Sequence, residues 1–200
     1  YVLPLNPNTV IIGHDHHFGN KRQGNYEFLL KNSKKYGYDV ISIEPFHVNS
    51  NIVSSSAIRE KLKLGHVAEV SDMLGRKYMV RGRVESGDGI GRSISVPTAN
   101  INISEINQII PSTGVYIVKV DVNGALYDGM CNIGFRPTIS KKLNMAFEVH
   151  LFNFSDNNLY GQYIDIEFVD YIRSEKKFNS KEDLKDQLLK DKLLCKSMIN

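Results

Sequence analysis

Between Gly82 and Asn100 the chain gathers residue types suited to holding a phosphate. Gly82-Arg-Val-Glu-Ser-Gly87-Asp-Gly-Ile-Gly91-Arg92 carries four glycines in ten residues and runs straight into Ser-Ile-Ser-Val-Pro97-Thr98-Ala99-Asn100. Glycines let a backbone come close to a ligand and aim several N–H groups at an anion. Thr98 and Asn100 then offer a hydroxyl and an amide oxygen, hard ligands that complete a magnesium shell otherwise filled by phosphate and water. The spacing is that of neither a Walker P-loop nor a dinucleotide fingerprint. For the glycines alone, a flexible hairpin loop followed by a Pro-Thr turn is an equally good account.

Two further groups could join this chemistry. In Cys131-Asn132-Ile133-Gly134-Phe135-Arg136-Pro137-Thr138 a polar, positively charged turn is expected to interrupt a strand, and it reads equally as a plain hairpin end. Glu148 stands mid-strand in Ala146-Phe-Glu-Val-His150-Leu, with His150 two residues on and therefore on the same face. Strand carboxylates usually face solvent; one facing a ligand could accept a proton from a hydroxyl nucleophile. His14, His16 and His17 crowd adjacent sides of one short exposed loop, which makes a poor chelate, and zinc is not expected there.

The elements that must position these residues fall into two styles. Thr9 to Gly13 reads as a short buried strand, Asp39 to Ile43 as a second strand, Tyr26 to Tyr36 as a helix, and Ser55 to Leu64 as a helix opened by serines. Val67 to Leu74 continues as a further helix stopped at Gly75. Strand, helix, strand, helix implies a parallel α/β unit, and the boundary is expected at residue 75. After Arg76 the period changes to two, in Met79 to Val84, Val115 to Val122, Ala125 to Ile133, Ala146 to Phe152 and Tyr163 to Val169. Val122-Asn-Gly-Ala125 is hairpin chemistry. Five or six such antiparallel strands tend to close into a small barrel or sandwich. Leu184, Leu188, Asp191 and Cys195 or Leu194 recur at helical spacing, so a C-terminal helix should cover one side or end of it.

Composition sets the outer limits. At 200 residues, 42% hydrophobic and 24% charged, the chain is an ordinary globular one of one large or two small domains. A formal charge of +3 is low for a nucleic-acid binder, and residues 1–75, with 8 basic and 7 acidic groups, are no more polarised than the rest. No apolar run approaches a membrane span. Two cysteines without a partner pattern make a reducing cytoplasm the default compartment. A chain opening at Tyr1 reads as a fragment or processed piece.

Taken in order, Gly82-x-Val84, Gly91-Arg92, Pro97-Thr98-Ala99-Asn100-Ile101, Gly114-Val115-Tyr116, Asn132-Ile133-Gly134-x-Arg136-Pro137-Thr138, Glu148-Val149-His150, Leu159-Tyr160-Gly161 and Ile172-Arg173-x-Glu175-x-Lys177-Phe178 resemble the riboflavin kinase family over nearly all of residues 76–200. The resemblance implies a six-stranded antiparallel barrel with a C-terminal helix. It implies transfer of the ATP γ-phosphate to the ribityl 5′-hydroxyl of riboflavin, giving FMN. By the same resemblance Thr98 and Asn100 hold magnesium and the ATP phosphates, Glu148 is the general base, and Asn132 to Thr138 form the nucleotide-side turn. Gly114, Val115 and Tyr116 then belong to the flavin surround, and Arg173 to a mobile flap over the flavin. One departure is visible: where the family commonly has Gly-Phe or Gly-Ile before Pro-Thr-Ala-Asn, this chain has Ser95-Val96, and Ser95 cannot adopt glycine-only conformations.

Residues 1–75 resemble the end of the FMN adenylyltransferase (FAD synthetase) that bacteria fuse ahead of riboflavin kinase. The resemblance rests on Gly13-His-Asp15-His-His-Phe18-Gly19-x-x-Arg22-x-Gly24 and on Val53-Ser54-Ser55-Ser56-Ala57-Ile58-Arg59. It implies that Gly13, Asp15, Ser54, Ser55, Ser56 and Arg59 contact ATP, the serines and Arg59 at a helix start suited to phosphate. Without it, the serines are an N-cap and Arg59 a solvated side chain. The family's His-x-Gly-His-type motif is absent from these residues, so FMN without FAD is the expected product. The alternative is a flavin- or nucleotide-binding module without turnover. Oligonucleotide binding ranks last, since aromatic and basic residues form no stripe.

Overall fold

The structure is a computed structural model and describes residues 3–87, 96–137, 143–155, 159–178 and 180–199. Gly91, Arg92, Ser95 and Thr138 of the expected site lie outside the described residues. The chain divides into two compact units, Tyr1–Val53 and Ser54–Asn200.

In the first unit β1 (Thr9–Gly13) pairs in parallel with β2 (Asp39–Ile43), and α1 (Tyr26–Tyr36) connects them. Asn25 caps that helix by accepting a hydrogen bond from the Phe28 amide at 2.8 Å. Leu29 of the helix packs with Ile12 and Tyr38 in a small core. This is the strand, helix, strand order read from the sequence, but β1 is not the buried strand expected: only Ile12 is buried, with α1 covering one face, and Ile11 is exposed. A short hairpin, β3 (His47–Val48) with β4 (Asn51–Ile52), was not anticipated. Two-residue strands have no alternation to detect, and the one available signal was Asn49-Ser50, whose positive φ values of 48° and 65° match the turn twist that hairpins favour.

The second unit begins with α2 (Ser55–Lys63) and α3 (Val67–Leu74). Their Leu62, Val67 and Val70 belong to the same buried cluster as Val80, Val118, Phe147 and Phe168 of the strands that follow. Packing therefore divides the chain at Val53/Ser54, ahead of the expected boundary at 75, because both helices bury their apolar faces with the second unit.

Six strands follow: β5 (Tyr78–Glu85), β6 (Ala99–Ile101), β7 (Gly114–Val122), β8 (Ala125–Pro137), β9 (Leu143–Leu151) and β10 (Tyr163–Arg173). They close into an antiparallel barrel in the order β10-β5-β6-β9-β8-β7. Alternation decides the inside: Val80 and Val84 of β5, Ile133 of β8, and Phe147 and Val149 of β9 are all buried there. Each such side chain contributes roughly 1.5–3 kcal/mol when fully buried.

Two local expectations change. Cys131 to Pro137 is not a turn that interrupts a strand: the ladder runs on, with Asn132 opposite Glu148 and Pro137 opposite Leu143. The alternation of Cys131, Ile133 and Phe135 against Asn132, Gly134 and Arg136 is that of a strand. The Pro97-Thr98-Ala99-Asn100 run likewise leads into β6, which pairs with β5 and β9. Outside the barrel, α4 (Lys181–Ile199) lies along one side and buries Cys195 in a cluster with Val96, Ile117, Met130 and Phe152.

Candidate functional site

One row of residues crosses the wall of the barrel and collects much of the chemistry. Its pairings run from Glu85 to Asn100, Asn100 to Glu148, Glu148 to Asn132, Asn132 to Val115, and Val115 to Arg173. Residues paired across an antiparallel ladder share a face. Phe147 and Val149 point inward, so Glu148 and the amides beside it point outward. Asn100, Glu148 and Asn132, far apart in sequence, thus become neighbours on three adjacent strands.

The Pro97–Asn100 segment is held against this row from three sides. Val96 is buried in the outer cluster, Ala99 pairs with Val149, and His150 Nδ1 lies 2.7 Å from the Pro97 carbonyl oxygen. The Thr98 hydroxyl reaches Glu148 Oε2 at 3.4 Å, a long hydrogen bond that nonetheless aims both oxygens at one place. The Asn100 amide lies against Gly87, at the spot a Cβ there would fill. Gly87 is therefore needed for close approach. Burial lowers the pKa of His150, keeping the ring neutral, a trend that the Pro97 bond opposes and nearby Lys192 reinforces.

The other expected site residues are placed as follows. Gly82 faces the interior between Val80 and Val84, where a Cβ would meet Ile101, so packing already accounts for this glycine. Gly134 lies against the Glu175 carboxylate. Arg136 and Pro137 belong to β8. Gly114 has φ 148°, and a Cβ there would meet the Tyr171 ring and the Arg173 carbonyl. Val115 is buried. Tyr116, expected beside the flavin, is 0% exposed: its ring packs edge-on against Phe168 and Tyr171, and its hydroxyl donates to the Ser112 carbonyl at 2.6 Å. Alternation with Val118 and Val120 explains the burial. Burial also pushes its phenol up to about 12.

Arg173 is turned outward by an irregularity in the β10–β7 register. Tyr171 and Arg173 pair with the consecutive residues Tyr116 and Val115, so they face opposite ways although two apart. The guanidinium then meets Asp191 of α4, Nη2 to Oδ2 at 2.6 Å and Nε to Oδ1 at 3.0 Å, while Gln187 donates to the same carboxylate at 2.8 Å. Asp191, Gln187 and the bond of His150 to Pro97 had no assigned role in the sequence reading. An acid inside the apolar stripe of a helix was the available signal for Asp191, since a buried carboxylate needs a cation.

In the first unit, Gly13 ends β1, and Asp15 is exposed with its carboxylate 3.8 Å from His14 Nδ1. Phe18 and Gly24 exchange two 2.9 Å backbone hydrogen bonds, closing the loop of the motif. Ser54, Ser55, Ser56 and Arg59 belong to the second unit, exposed at the start of α2. The Ser54 hydroxyl accepts from the Ala57 amide at 3.2 Å, so it caps the helix.

Known proteins resemble both units. The Flavokinase model, described as riboflavin kinase, matches residues 74–199, and the FAD synthetase model matches residues 1–57. A bifunctional riboflavin kinase/FMN adenylyltransferase of Haemophilus influenzae is 43% identical over 94% of this chain and 60% of its own length. The protein of the same description from Bacillus subtilis is 38% identical over 96% of this chain and 60% of its own length. The chain thus spans about 60% of the length of these relatives. A solved Streptococcus pneumoniae structure described as a macrolide-efflux protein superposes with TM-score 0.80 at 32% identity, covering 93% of this chain and 60% of that one. Among the described residues here, no helix is long and apolar enough to cross a membrane. With the family match covering the whole barrel and its C-terminal helix, the chain belongs to the riboflavin kinase family.

Proposed function

We propose that the second unit transfers the γ-phosphate of ATP to the 5′-hydroxyl of riboflavin, giving FMN and ADP. The observation that carries this reading is the convergence of Thr98, Asn100, Glu148 and Asn132 on adjacent paired strands, with the Thr98 hydroxyl 3.4 Å from the Glu148 carboxylate. Glu148 takes the proton of the attacking hydroxyl, and the Pro97–Asn100 segment orients the phosphates. Phosphoryl transfer depends chiefly on such positioning and charge neutralisation. Riboflavin lies toward the Gly114, Val115 and Arg173 end of the row. Gly87, Gly134, Arg136 and Pro137 belong to the nucleotide side with Gly91, Arg92 and Thr138.

The donor set suits magnesium. Thr98 and Asn100 are neutral hard oxygen ligands, and among the described residues no group of three His, Cys, Asp or Glu could hold an ion alone. That combination fits a cation that takes its remaining ligands from phosphate and water. When bound, magnesium neutralises charge on the phosphates. Thr98→Ala is expected to raise the magnesium concentration needed for half-maximal turnover several-fold, roughly the loss of one ligand; an unchanged magnesium titration removes Thr98 from the shell. Gly87→Ala is expected to displace the Asn100 amide and raise KM for Mg-ATP roughly tenfold. Steady-state kinetics with riboflavin held saturating reads this out.

By their motifs, residues 1–75 are assigned to an FMN adenylyltransferase and residues 76–200 to riboflavin kinase, although α2 and α3 pack with the barrel, with riboflavin, FMN and ATP as the small-molecule partners. A cytoplasmic location agrees with two buried free thiols. The test is incubation of the 200-residue chain with riboflavin and Mg-ATP, followed by chromatography. FMN is the expected product, without FAD. Binding of flavin with no FMN formed would make the chain a binding module.

A further inference from the structure

His150 is placed to act on both the Thr98 hydroxyl and the Glu148 carboxylate through the backbone. It follows Glu148 by two residues on β9, on the same outer face, and is 5% exposed. Its Nδ1 stands 2.7 Å from the carbonyl oxygen of Pro97, the residue immediately before Thr98. A carbonyl oxygen can only accept, so Nδ1 carries the proton and donates. Nε2 is buried with no hydrogen-bond partner among the described residues, which suits an unprotonated nitrogen better than an N–H that must be satisfied. The ring plane is fixed by an edge-on contact with Phe152, centroids 5.5 Å apart, and Phe152 in turn lies under Lys192 of α4.

We propose that His150 is a positioning residue for phosphoryl transfer: as the Nδ1–H tautomer it pins the Pro97 carbonyl and so sets Thr98 and Asn100 against Glu148. β5 ties β6 through Asn100 and Ile101, which leaves the stretch before Ala99 to be fixed by other contacts. β6 is only three residues long, and its pairing with β9 comprises Ala99 with Val149 and Asn100 with Glu148. That pairing starts after Thr98, so on its N-terminal side Thr98 is positioned by what holds Pro97. Val96, buried in the outer cluster, anchors the chain one residue earlier through a side chain that does not orient the peptide plane. The His150 bond orients that plane. β9 thus carries both the base and the anchor of the opposing segment on a single rigid strand, which keeps their separation constant.

This inference rests on the assignment of Thr98, Asn100 and Glu148 to phosphoryl transfer, and its test separates the two. Long-range proton–nitrogen NMR of the whole 200-residue chain reads the tautomer directly, with the His150 signals identified by their loss in His150→Asn. The expected pattern is a protonated Nδ1 and a bare Nε2. An Nε2–H tautomer overturns the proposal whatever the activity.

The kinetic arm uses two amides that mimic different ring nitrogens. Asn places its N–H group near the position of Nδ1, and Gln near that of Nε2. His150→Gln is expected to lower kcat/KM for Mg-ATP roughly 10- to 100-fold, the scale on which small misplacements act, with KM for riboflavin unchanged. His150→Asn should recover at least about tenfold of that loss on the same scale. Equal losses in the two variants, tracking equal falls in thermal midpoint, would reduce His150 to packing. Absence of FMN formation by the unsubstituted chain would instead sink the kinase reading and leave the tautomer result standing.

Discussion

Replacing Glu148 by Gln is expected to cut FMN formation by ~100-fold or more, the usual contribution of a positioned general base, while affinity for Mg-ATP stays within about threefold. The substitution is informative because of what it preserves. Gln is isosteric, and its side-chain oxygen can still accept the 3.4 Å hydrogen bond from Thr98. The pairings of Glu148 with Asn100 and Asn132 are made by backbone and are untouched. What is lost is the negative charge, and with it the capacity to take a proton. A carboxylate that merely organised Thr98 would be replaced by Gln with little effect, whereas a base would not. The measurement is initial-rate FMN formation at saturating riboflavin and Mg-ATP, alongside nucleotide affinity by titration. Turnover within a few-fold of the unsubstituted chain would remove Glu148 from the role, leaving the site to work by positioning and charge neutralisation alone.

How far this site could be read from the sequence depended on whether its signal was local. Period-two runs located β5, β7, β8, β9 and β10, residue pattern located α1, and caps and turns located α2, α3 and the Asn123-Gly124 hairpin. β6 escaped because three residues at the end of a Pro-Thr-Ala-Asn-Ile run carry no period. Thr98, Asn100 and Glu148 were chosen for their chemistry, and closure of the barrel brought them together through pairings between residues some fifty positions apart. Tyr116 and Gly82 show the reverse case. Their places in the alternation, beside Val118 and between Val80 and Val84, already indicated the interior, and a motif reading set that signal aside. The outward turn of Arg173 was illegible, since a register shift in β10 has no marker in the residues themselves.

That outward turn leads to the second large expected effect. Asp191→Ala should destabilise the chain by about 3–5 kcal/mol, the cost of stranding one partner of a buried ion pair. Asp191 is 3% exposed, and it receives two guanidinium nitrogens of Arg173 and the amide of Gln187. Arg173 also donates from Nη1 to the Ser174 carbonyl at 2.9 Å, which satisfies that nitrogen but does not neutralise its charge. Removing the carboxylate leaves a cation between β10 and α4 with little water to solvate it. The cost should therefore far exceed the ~0–1 kcal/mol of an exposed pair. Replacing both Arg173 and Asp191 by leucine should cost much less than Asp191→Ala, because no unpaired charge remains. Chemical denaturation of the single and double variants decides the matter. A loss below about 1 kcal/mol for Asp191→Ala would mean that the pair is solvated and behaves as a surface bridge. The pair also bears on the proposed flavin end of the row: a guanidinium held by three nitrogen-to-carboxylate contacts is not available to a ligand without giving them up. Its influence on riboflavin is thus expected to pass through the backbone of residues 173–178, and Asp191→Ala should raise KM for riboflavin more than KM for Mg-ATP.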